Sequence, residues 1–115
     1  MKNKGMTFEE YSKTAKITAQ YPKDKGLVYL AFGLASEAGE VLGKLKKLIR
    51  DHENFDKALE ENKYSVADEL GDVLWYLSQL ARELEVPLCE VAQRNNEKLL
   101  DRLARNAIMG SGDER

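Results

Sequence analysis

Apolar residues recur along this chain with the 3.6-residue period of amphipathic helices, and no segment shows the strict alternation of a half-buried strand. Thr7 followed by Glu10 has the form of a capping box, and Phe8, Tyr11, Ala15 and Thr18 continue at helical spacing, which predicts a first helix from about Thr7 to Gln20. Tyr21-Pro22 ends it, and Lys23 to Gly26 reads as a turn. Leu27, Leu30, Leu34, Val41, Leu45 and Leu48 then predict a long second helix ending near Arg50. The stretch from Asp51 to Tyr64 is charged, with Phe55, Ala58 and Leu59 as its apolar cluster, and reads equally as a short helix or a mobile loop. Ser65 with Asp68 resembles a helix start, and Val66, Leu70, Val73, Leu77, Leu80 and Leu84 trace a third helix up to a break at Glu85-Val86. Pro87 suits a first helical position. A fourth helix is expected from there to about Ala107, with Leu88, Val91, Ala92, Leu99 and Leu103 facing inward.

The expected architecture is an all-α antiparallel bundle of four main helices. Helices two and three leave apolar surface that a second subunit would cover, so completion by homo-oligomerisation is expected. At 115 residues the chain makes a single domain that buries roughly 65% of its unfolded surface. Its core is expected over residues 7–107, with 108–115 as a disordered tail. The net charge of −2 argues against a protein that coats nucleic acid and leaves small anionic substrates open. The single cysteine, Cys89, lies between Leu88 and Val91 and reads as a half-buried core thiol, compatible with a reducing compartment. No run of eighteen apolar residues and no secretory leader is visible, so no membrane partner is expected and a cytoplasmic location is.

The most informative feature is a repeat. Leu34-Ala35-Ser36-Glu37-Ala38-Gly39-Glu40-Val41-Leu42 returns thirty-two residues later as Val66-Ala67-Asp68-Glu69-Leu70-Gly71-Asp72-Val73-Leu74. Each copy places two carboxylates three residues apart, bordering its helix's apolar stripe. Four acids brought together there, Glu37, Glu40, Glu69 and Asp72, suffer desolvation and mutual repulsion, and a divalent cation is the simplest remedy. Hard oxygen donors without a usable histidine or thiol select Mg2+, or Mn2+ as a substitute, over zinc. The competing reading is a solvated helix face with an ordinary Glu40–Lys44 ion pair. Gly39 and Gly71 each cost about 1 kcal/mol relative to alanine inside a helix, so close approach of a helix or a ligand beside the acids is expected there, or helix packing alone. Lys44, Lys46, Lys47 and Arg50 extend the second helix beyond its acids, and Lys98, Arg102 and Arg105 lie on the fourth at spacings suited to phosphate oxygens. Asn96, between Ala92 and Leu99 on the expected inward side, needs a hydrogen-bond partner in the core or on a ligand. There is no phosphate loop, dinucleotide fingerprint or G-x-S-x-G, His52 has no triad partner, and the absence of Glu-x-x-His pairs excludes a di-iron bundle.

Glu37-x-x-Glu40, a spacer of twenty-eight residues and Glu69-x-x-Asp72 resemble the ExxE…ExxD signature of the MazG-like members of the all-α nucleoside triphosphate pyrophosphohydrolases. Gly33 to Val41, Asp68 to Leu77, and the Asn96-Glu97-Lys98 element followed by Arg102 look like that family's best-kept stretches. The resemblance implies Mg2+-dependent hydrolysis of a (deoxy)nucleoside triphosphate to the monophosphate and pyrophosphate, in the service of nucleotide-pool housecleaning. It implies that the four acids hold the metal, that Glu37 or Glu40 takes the proton or orients the water, and that Lys98 and Arg102 hold the outer phosphates. Asn96, Lys44 and Lys47 would assist in binding substrate, Tyr76 and Tyr21 would stack on the base, and a homodimer or homotetramer would complete the sites. Phosphoribosyl-ATP or a modified dNTP is the alternative substrate, and a non-enzymatic helical interaction module is the alternative class.

Overall fold

The computed structural model describes residues 5–106, 108–110 and 112–113, and among them contains four α-helices and no strand. Helix α1 spans Phe8–Ile17, α2 Gly26–Asp51, α3 Phe55–Glu83 and α4 Leu88–Ala104. The capping box at the start of α1 is formed as the sequence predicts: the Glu10 amide donates to Thr7 Oγ1 at 3.1 Å and the Thr7 amide donates to Glu10 Oε1 at 3.0 Å. A 3-10 turn at Lys23–Lys25 leads into α2.

The undecided stretch between α2 and the acids of the second repeat is helical. Asn54 caps α3, accepting from the Lys57 amide at 3.0 Å, and the helix runs unbroken through Ser65, the position where a start was expected. Nothing between Phe55 and Glu83 interrupts a helix, and Ala58 is buried, so the charged segment rides on one continuous cylinder. The break at Glu85 is present. Glu85 has φ of 59°, and the Val86 amide donates back to Ala81 O at 3.0 Å, closing α3 with a left-handed residue. Helix α4 ends at Ala104, short of the expected Ala107, which lies outside the described residues.

Contacts between the two long helices pair Gly26 with Glu83, Gly33 with Tyr76 and Lys44 with Ser65, so α2 and α3 run in opposite directions. Helix α1 packs on α3 and α4, and α4 on the end of α3. At Gly33 the Tyr76 ring lies directly against the α2 backbone, where any Cβ would overlap it. Gly39 and Gly71, expected to sit against a neighbouring helix or ligand, instead face open space within the chain.

Leu30 is the centre of a small core that also holds Ala15, Tyr21, Leu48, Ala58, Ala81 and Leu88. Much of the predicted apolar stripe is uncovered. Leu70, Leu77 and Leu84 on α3 and Val91, Leu99 and Leu103 on α4 are exposed, and Phe32 on α2 is 73% exposed. Cys89 is exposed as well, because Leu88 and not its neighbour turns into the α1–α3–α4 contact; the expectation of a half-buried thiol fails. Asn96 likewise is exposed instead of inward.

The Gly33–Tyr76 contact sets how closely α2 and α3 approach. Gly33→Ala is expected to destabilise the fold by about 1–3 kcal/mol through overpacking. Thermal or urea unfolding checks it, and an unchanged or raised midpoint contradicts the contact.

Candidate metal centre and substrate pocket

Residues three apart on a helix share a face, so Glu69 and Asp72 project together from α3 toward the α2 face that carries Glu37. Oxygens of Glu37, Glu69 and Asp72 all lie within 4.8 Å of one another. Glu37 and Glu69 are half-buried and Asp72 is exposed. Three anionic groups this close repel. The Glu37 carboxyl is accordingly held above the ordinary glutamate range, first by desolvation and then by the charges of Asp72, Glu69 and Glu40. Glu40 is exposed and stands outside the group of three, although its charge reaches Glu37. The donor set is all-oxygen, carries three negative charges, and suits a hard divalent cation held by Glu37, Glu69 and Asp72.

Lys44 brings a positive charge to this edge. Its ammonium sits 3.3 Å from Glu69 Oε1 and donates to Ser65 Oγ at 2.7 Å and to Ser65 O at 3.1 Å. It crosses to α3 and is not the partner of Glu40 in an intrahelical pair.

These residues lie within a span that resembles known proteins. Residues 28–105 match the MazG nucleotide pyrophosphohydrolase domain. The chain belongs to that family. It is also similar to the Gene 37 protein of Mycobacterium phage L5, at 43% identity over 116 residues that cover 96% of this chain and 100% of that protein. No solved structure matches the chain. The matched span of the MazG domain holds α2, α3, α4 and all four acids, and leaves α1 outside.

Beside the acids of this MazG domain lies a cavity of about 370 Å3 lined by Thr18, Glu37, Asp72, Trp75 and Tyr76. Tyr76, one of the two tyrosines expected to stack on a base, lines this cavity. Its phenol is kept protonated by burial first, then by Tyr29 and by Glu37. Tyr11 on α1 is raised for similar reasons, burial and the charge of Asp72. Tyr21 is elsewhere. It is buried, stacks on Tyr29 with ring centroids 5.7 Å apart, carries Lys23 Nζ at 3.8 Å from its centroid, and donates to Glu83 Oε1 at 3.0 Å. Trp75 and Thr18 are the residues that sequence reasoning missed. The Trp75 indole N–H donates to Thr18 Oγ1 at 2.8 Å across 57 positions of chain, a pairing that no local pattern announces.

The MazG domain keeps its α4 candidates apart from this cavity. Lys98 and Arg102 both donate to Asp113 Oδ1 at 3.1 Å, and Arg102 is buried although the leucines beside it are exposed. Lys47 and Asn96 are exposed, and neither lines the cavity.

The raised Glu37 carboxyl fixes a sign. A folded state that holds this proton more tightly than the unfolded chain loses stability as pH rises from the ordinary glutamate range through the raised value. A divalent ion competes with the same proton, so its affinity increases over that interval. Glu37→Gln is expected to raise the melting temperature of the metal-free protein and to weaken Mn2+ binding by about tenfold or more. Calorimetric titration across pH checks it; unchanged Mn2+ affinity contradicts the assignment.

Proposed function

We propose that this protein is a divalent-metal-dependent nucleoside triphosphate pyrophosphohydrolase, cleaving its substrate between the α and β phosphorus atoms. The supporting observation is the convergence of Glu37, Glu69 and Asp72 within 4.8 Å inside a MazG domain. These three acids, with Glu40 one turn beyond, would hold Mg2+. When bound, the ion neutralises the phosphate oxygens and the charge that develops on the departing pyrophosphate.

The chain's own groups supply the rest. A water oxygen attacks the α phosphorus in line, the bond to the bridging oxygen breaks, and pyrophosphate leaves with that electron pair. The water proton passes to a carboxylate. Glu37 or Glu40 would take it, Glu37 from within the group of three acids and Glu40 from its exposed position beside them.

The substrate's outer phosphates need cations, and among the described residues no lysine or arginine lines the cavity. The radius of gyration is 17.2 Å, against about 13 Å for a compact domain of this length. The accessible surface is 9081 Å2, against about 6,300 Å2 for a monomer of this mass. Exposed Phe32, Leu42, Ile49 and Leu70 line the long helices. These properties favour a homodimer or homotetramer, in which Lys98, Arg102 and Asn96 of a neighbouring copy contribute to phosphate binding.

Purified protein with Mg2+ is expected to release pyrophosphate from at least one member of a panel of the standard NTPs, dNTPs and dUTP, to elute at a multiple of 13.0 kDa, and to lose about 100-fold or more of its activity in Asp72→Asn. Pyrophosphate assay and light scattering check these outcomes. Full activity in Asp72→Asn, or no pyrophosphate from any nucleotide with Mg2+ or Mn2+, contradicts the reading.

A further inference from the structure

We infer that Trp75 is the wall on which the nucleobase stacks, and that Thr18 is the positioning residue that holds its indole in place. This assignment rests on the pyrophosphohydrolase reading above and names the part of the site that senses the base.

The cavity has two chemical ends. Glu37 and Asp72 form one, and the aromatic rings of Trp75 and Tyr76 form the other. A nucleoside triphosphate has the same polarity, anionic phosphates at one end and a flat π-system at the other. Trp75 lies three residues after Asp72, on the same face of α3 and within one turn of a metal-facing carboxylate. A base tethered through its ribose to a phosphate at the acids therefore reaches this ring.

Two contacts fix the indole. Its N–H donates to Thr18 Oγ1 at 2.8 Å, and the Tyr76 ring meets it edge-on at 5.0 Å with an interplanar angle of 81°. Thr18 is itself anchored at the C-terminal end of α1, where its hydroxyl donates to Ala15 O at 2.8 Å. Because the hydroxyl's proton is committed to Ala15, its lone pairs are available to the indole N–H. The indole's polar atom is thus satisfied inside the protein, and its half-buried face is left for stacking, which tolerates any base. Of the two tyrosines expected in this role, Tyr76 meets the indole edge-on, and Tyr21 has its ring stacked on Tyr29 and covered by Lys23. Thr18, the C-cap of α1, lies outside the span 28–105 matched by the family's domain.

Trp75 is the single tryptophan of the chain, so indole fluorescence reports on it alone. With Mg2+ present, α,β-imido analogues of dATP and dCTP are expected to quench that emission saturably, whereas inorganic tripolyphosphate, which carries no base, is expected to compete for the acids and leave the emission unchanged. Thr18→Val removes the indole's acceptor. It is expected to raise KM by about tenfold for the best substrate of the panel, with kcat and the inhibition constant of tripolyphosphate unchanged, and Thr18→Ser is expected to restore KM. Emission that ignores a bound analogue overturns the assignment, as does an unchanged KM in Thr18→Val or a KM that rises in step with the tripolyphosphate constant. A protein that hydrolyses nothing overturns the parent reading and this assignment together, whereas an active enzyme with base-blind fluorescence overturns this assignment alone.

Discussion

Three carboxylates from two helices are held within 4.8 Å of one another, and the rest of the molecule is arranged to make that approach possible. Their repulsion opposes the pairing of α2 with α3. It is countered at one end by the Lys44 ammonium, bound to Ser65 and Glu69, and at the other by the Tyr76 ring seated on Gly33. Both contacts also fix the register of the antiparallel pair. Shifting either helix by one residue would turn an acid about 100° around its axis and separate the group. The raised Glu37 carboxyl is the local sign of this tension, because it protonates more readily where its neighbours are anionic. Stability and chemistry pull in opposite directions here, as they do wherever a site gathers like charges for a ligand.

Helix α1 gives the acid pair a third wall. Thr18 reaches the indole of Trp75, and the Tyr11 phenol feels the charge of Asp72, so a helix outside the matched MazG span shapes the space beside the clustered acids. The acidic end of the cavity is thus built from the repeated turns of α2 and α3, while its aromatic end is shared with the end of α1.

Several of these features are legible in the sequence for identifiable reasons. The Thr7–Glu10 box, the end of α3 at Glu85 and the convergence of Glu37 with Glu69 and Asp72 follow from short-range chemistry or from a repeat whose register is unambiguous. The start of α3 is hidden because Asp51 to Tyr64 carries too few apolar positions to show a period, although Asn54 was there to cap it. Periodicity marks Leu70, Leu77, Leu99 and Leu103 as one side of their helices without saying what lies against that side, and among the described residues each is left exposed. Cys89 and Asn96 were misplaced for the same reason, since a helical wheel gives direction and not cover. Trp75 with Thr18 is a contact between residues far apart in sequence, and such contacts leave no spacing to read.

The central claim is that the two acidic turns share one divalent ion. Crystals of the protein grown with Mn2+ and measured for anomalous scattering test it directly. The account predicts a peak within coordination distance of Glu37, Glu69 and Asp72 together, lost in Asp72→Asn; a fully loaded protein whose manganese sits anywhere else, or none bound at all, would contradict it.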